Sequence, residues 1–76
     1  MKSFNQPIGN WNTSKVENMR SMFTKAENFN QPLDHWDTSS VKFMQDMFRK
    51  AGKFNQPIGA WNTSKVTNME WMFCGA

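Results

Sequence analysis

The sequence predicts an α/β fold: a solenoid of three tandem 25-residue repeats, each contributing a short strand or extended rung, a helix and an FNQP turn. Three observations carry that prediction. The phrase FNQPIGNWNTSKV at residues 4–16 returns as FNQPLDHWDTSSV at 29–41 and as FNQPIGAWNTSKV at 54–66. Apolar residues after each phrase recur at helical spacing. A fixed tryptophan stands between the proline and that apolar run, where too few residues remain for a second helix. Self-similarity at one period of about 20–50 residues marks stacked, quasi-one-dimensional architectures. The chain therefore reads as a single repeat domain, 1–76, with repeats 4–28, 29–53 and a truncated 54–76.

Twelve columns hold the same residue in all three copies: the Phe, Asn, Gln and Pro of the phrase, then Trp, Thr, Ser, Val, Met, Met, Phe and Ala. In the first copy Val16, Met19, Met22, Phe23 and Ala26 fall within an arc of roughly 120° when wound at about 100° per residue. The changing residues Glu17, Asn18, Arg20, Ser21 and Lys25 fall opposite. Fixed columns are thus expected to be buried and variable ones wet. Thr13 and Ser14 are N-cap types, Ser14-x-x-Glu17 fits a capping box, and Asn28 and Gly52 suit helix C-termini. Proline lacks a donor and restrains its predecessor, so FNQP is expected to turn. The stretch at Trp11, Asn12 and Thr13 is read as the rung, pairing in parallel with its equivalents at Trp36 and Trp61. A purely helical array with FNQPIGNW as a long ordered loop is the alternative.

One such unit has too few apolar groups for a core of its own, so stacking is expected to supply the interior. Trp11, Trp36 and Trp61 are expected in successive layers. Asn5, Asn30 and Asn55 are expected to form a ladder, each bonding the backbone of the neighbouring coil, because buried turns leave polar groups that need partners. The Met-Met-Phe stripe reads as adaptable core filler.

Composition narrows the function classes. Nine Lys plus Arg against six Asp plus Glu give a net charge of +3 spread without a basic run, so no nucleic-acid partner is expected. The single Cys74 precludes an internal disulfide and any cysteine-based metal set. No apolar stretch approaches the ~18–20 residues of a membrane span. The chain enters its repeat directly and its ending looks cut, so an excised piece of a longer array is expected, without signal or lipid anchor in this fragment. His35, flanked by Asp34 and Asp37, stands in a column that elsewhere holds Asn10 and Ala60, and reads as a solvated side chain. Gly9 and Gly59 are single turn glycines rather than a phosphate-cradling loop. Catalytic residues, metal ligands and cofactors are not expected. Phe43 and Trp71 stand out, because other copies place Asn or the polar pair Ser21 and Asp46 in their columns. They read either as partly shielded side chains or as anchors of a contact surface.

The assembled pattern W[ND]TS[KS]V-xx-M-xx-MF-xx-A-xx-FNQP[IL] resembles the 25-residue repeats of mycoplasma surface lipoproteins and related BspA-like proteins, relatives of leucine-rich repeats. The likeness runs from Phe4 to Ala76. It implies a right-handed, leucine-rich-repeat-like α/β solenoid shown on a microbial surface, without enzymatic activity and with roles in adhesion. The expected function is a non-enzymatic scaffold for protein–protein contact, with host proteins or other copies as partners, docked end to end or side by side. A carbohydrate-binding module using the faces of Trp11, Trp36 and Trp61 is one rival, and a passive spacer another.

Overall fold

The structure, a computed structural model, describes residues 2–76. Among them there is no helix and almost no strand, which overturns the α/β solenoid of helices and rungs. The helical alternative falls with it. Among the described residues, parallel bridges occur only where Asn18 meets Phe43 and Phe43 meets Asn68, and not at Trp11, Trp36 and Trp61 where the rung was expected.

The reason lies in the backbone of the supposed helix. Ser21, Lys25, Asp46, Lys50 and Trp71 have φ of 57, 61, 59, 60 and 62°, and Gly75 has 74°. An α-helix needs negative φ throughout, whereas positive φ at the third residue of a turn suits type II geometry. Short local bonds follow: Met22 N donates to Met19 O, Thr24 N to Ser21 O and Ala26 N to Phe23 O, at 3.0–3.3 Å. The amides between them point to the next coil. Met19, Ser21, Phe23 and Lys25 donate to the carbonyls of Phe43, Gln45, Met47 and Arg49 at 2.8–3.0 Å. Met44, Asp46, Phe48 and Lys50 donate in the same way to Asn68, Glu70, Met72 and Cys74. Backbone groups that a helix would satisfy within itself are here satisfied between coils.

Turns also replace the expected helix caps. Asn12 Oδ1 accepts from the amide and hydroxyl of Ser14, and Asp37 Oδ1 accepts the same pair from Ser39. These are Asx-turns, the local bonding that lets short polar side chains compete with a helix. The Thr13 hydroxyl donates to Asp37 O in the next coil, and the Thr38 hydroxyl to Asn62 O.

The interior runs along the stack and is most complete in the middle coil, residues 29–53. Phe29, Leu33, Val41, Met44, Met47, Phe48 and Ala51 are fully buried there. In the last coil described the column-mates Met69 and Phe73 are 46% and 49% exposed. Two rails of stacked rings bind the layers. Phe4, Phe29 and Phe54 follow one another at 5.6 and 5.9 Å, and Phe23, Phe48 and Phe73 at 5.5 and 5.6 Å. The rails touch where Phe23 meets Phe29 at 4.3 Å and Phe48 meets Phe54 at 4.1 Å. Each such pair adds about 0.5–1.5 kcal/mol beyond the burial of its area.

Candidate functional site

Several polar side chains of the repeated phrase hold coil to coil. Asn5 Oδ1 accepts from the Asn30 amide and Asn30 Oδ1 from the Asn55 amide, both at 2.9 Å. Gln31 Nε2 donates to Asn5 O and Gln56 Nε2 to Asn30 O. Trp36 and Trp61 are buried, and their indole N–H groups donate to Ile8 O and Leu33 O of the preceding coil at 3.0 and 2.9 Å. Trp11 stacks on Trp36 at 6.5 Å but is 58% exposed. Of the three tryptophans that a sugar platform would need, only Trp11 offers an open ring.

Trp71 is the most elaborately held of the exposed side chains. Its backbone is left-handed, the residue is 55% exposed, and its Nε1 donates to Glu70 Oε1 at 2.7 Å. The Arg49 guanidinium lies over the ring, 5.4 Å from its centre, a cation–π contact. Arg49 Nη1 in turn sits 3.5 Å from Asp46 Oδ1. Gln45 Oε1, Asp46 Oδ1 and Arg49 Nε are buried without a hydrogen bond. Phe43, 39% exposed, occupies the one bridged rung, between Asn18 and Asn68. Both of these aromatics are therefore accessible, although neither lies on a helix.

A groove of about 410 Å³ was not foreseen from the sequence. It opens between Pro7, Gly9 and Asn10 of the first coil and Gln31, Pro32, Asp34 and His35 of the second. Gly9 permits the close approach there, since a Cβ would stand 3.1 Å from Pro32 O. The signal in the sequence is faint: Gly9 and Asn10 give way to Asp34 and His35 in otherwise repeating phrases. His35 Nε2 lies 3.7 Å from Asp34 Oδ2 at the surface. Cys74 is exposed, and no group of three or more His, Cys, Asp or Glu among the described residues could hold a metal ion. The Asp37 carboxyl lies below its ordinary value. The Ser39 hydroxyl bond, then the Ser39 amide bond, stabilises its charged form and lowers its pKa.

Coils that satisfy one another's backbone and share two rails of rings define a tandem-repeat protein. The family described as "Mycoplasma protein of unknown function, DUF285" matches residues 1–76, and the chain belongs to it. That description carries neither an activity nor a kinship with leucine-rich repeats. Comparison with curated proteins and with solved structures gave no match. Among the described residues no helix is long and apolar enough to cross a membrane.

Proposed function

We propose that this chain is a non-enzymatic repeat scaffold for protein–protein contact, adhesive in kind and exposed on a microbial surface, as in the mycoplasma surface lipoproteins its repeats resemble. The observation that carries this reading is Trp71. Its column requires a left-handed backbone in every copy, at Ser21, Asp46 and Trp71 alike. A bulky residue there is disfavoured relative to Asn, Asp or Gly. A large aromatic at such a position, braced by Arg49 and Glu70, is costly for folding yet well suited to contact. Rigid exposed aromatics dominate interface energetics, and Phe43 adds a second one in a column that otherwise holds Asn.

The test is binding of fluorescently labelled chain to host cells, comparing wild type with Phe43→Asn/Trp71→Asn. Asn tolerates positive φ, so the double variant should melt no lower than wild type while its cell binding falls at least tenfold. Undiminished binding would overturn the proposal. The groove beside Asp34 and His35, with Trp11 nearby in sequence, favours a glycan-binding reading as the second choice. It predicts a sugar-dependent change in Trp11 emission that Trp11→Phe abolishes.

A further inference from the structure

The repeat has two positions at which a short polar side chain closes a turn on the amide two residues later. At the first, Asn12, Asp37 and Asn62 accept from the amides of Ser14, Ser39 and Ser64 at 3.0–3.1 Å. At the second, Asn18 and Asn68 accept from the amides of Arg20 and Glu70, both at 2.9 Å. The middle coil breaks the pattern. Phe43, bridged to Asn18 and Asn68, has no side-chain oxygen to offer, and the Gln45 amide donates to no atom among the described residues. The backbone there is nonetheless held from both sides. Lys42 N and Phe43 N donate to Glu17 O, Met19 N donates to Phe43 O, and Thr67 N donates to Lys42 O, at 2.7–3.3 Å. Because a coil lies on either side, the 39% exposure of Phe43 belongs to the flank of the stack and not to its ends. Its ring also stands apart: the other six phenylalanines form the two rails, whereas Phe43 stacks on no ring among the described residues.

Position 43 thus gives up a turn bond and leaves an aromatic ring partly open to water, two costs that its column-mates avoid. We infer that Phe43 and the Gln45 amide form one docking point for a polypeptide partner. The partner covers the ring with an apolar side chain and offers the amide the carboxamide or carboxylate oxygen that Asn18 and Asn68 supply within the chain. This inference rests on the contact reading above and deepens it, naming the partner's chemistry and the two groups that meet it. The ring and the amide do different work. An aromatic anchor on a held backbone loses little freedom when covered, and the directional N–H fixes the register of what covers it. A flank of this kind suits a protein surface better than a small ligand or sugar, whose sites are concave; Phe43 lies outside the groove lined by Pro7 and Pro32.

The test joins amide hydrogen exchange, followed by NMR, to selection from a random peptide library displayed on phage, with the full chain as bait. In the free wild type the Gln45 amide should exchange roughly tenfold faster than those of Arg20 and Glu70, the protection one turn bond supplies. Phe43→Asn, which installs the column's usual residue, should slow it to their level, and that recovery also shows the variant folded. Peptides selected on wild type should carry Asn or Asp beside an aromatic or aliphatic residue and should slow Gln45 exchange when bound. They should bind Phe43→Asn roughly tenfold more weakly, as loss of an aromatic anchor implies, and replacing their Asn or Asp by Ala should weaken them comparably. A Gln45 amide as protected in the free wild type as the other two would overturn the inference, as would a library that yields no binder. Peptides that lose affinity for Trp71→Asn but not for Phe43→Asn would overturn it too, while leaving the broader contact reading intact.

Discussion

Phe48 and Phe73 share a column, a residue type and a turn, and differ only in whether a layer covers them. Phe48 is fully buried, with ring neighbours Phe23, Phe54, Trp61 and Phe73 at 5.5, 4.1, 6.3 and 5.6 Å. Phe73 is 49% exposed and stacks on Phe48. Truncating a fully enclosed Phe to Ala costs about 3–5 kcal/mol, the lost transfer energy plus a cavity that rigid neighbours do not fill. At the half-covered position the transfer energy is roughly halved and no closed cavity forms, so Phe73→Ala should cost about 1–2 kcal/mol. A chain of this size commands only about 4–11 kcal/mol in total. Phe48→Ala should therefore remove a large share of the stability, while Phe73→Ala lowers the midpoint by about 4–8 °C per kcal/mol. Urea and thermal denaturation of dilute protein, followed by tryptophan emission, give both numbers. Equal losses at the two positions would refute the reasoning, because they would mean that burial does not depend on a covering layer.

Two further outcomes follow from the turns. Lys50→Gly should leave stability unchanged or raise it by about 1 kcal/mol, since the residue sits at φ 60° where a side chain is penalised; a loss of about 1 kcal/mol, the cost of Gly in a helix, would contradict it. Asp37→Asn should keep the Asx-turn, as Asn12 and Asn62 do in the other copies, but flatten the acid limb of stability. The folded pKa of Asp37 lies below its ordinary value. Its contribution is therefore present above about pH 3.9 and is lost as pH falls through the lower folded value. Equilibrium denaturation between about pH 5 and 2 checks this, and identical acid limbs for wild type and variant would refute it.

The columns disclosed which side chains go inside far better than they disclosed the backbone. Val41, Met44, Met47, Phe48 and Ala51 are fixed and all fully buried. Yet their steps of three, three, one and three residues fit a chain of tight turns as well as an α-helix, because both return to the same side every three to four residues. What separates the two is the sign of φ at Ser21, Lys25, Asp46 and Lys50. Ser, Lys and Asp announce that only weakly, and Gly75 is the one residue in those columns that signals it. The capping pattern misled for a related reason: Asn12, Thr13 and Ser14 bond locally and to the next coil in ways that mimic a helix start. The groove between Pro7 and Pro32 was illegible because it depends on how closely two coils approach, which no single phrase specifies.

Scalar couplings across hydrogen bonds, measured by NMR on isotopically labelled dilute protein, identify each amide's acceptor atom by atom. Phe48 is the decisive position: its amide should couple to the carbonyl carbon of Met72, in the following coil. A coupling to the carbonyl of Met44, four residues earlier along the chain, would restore the helix and contradict the architecture of turns satisfied from one layer to the next.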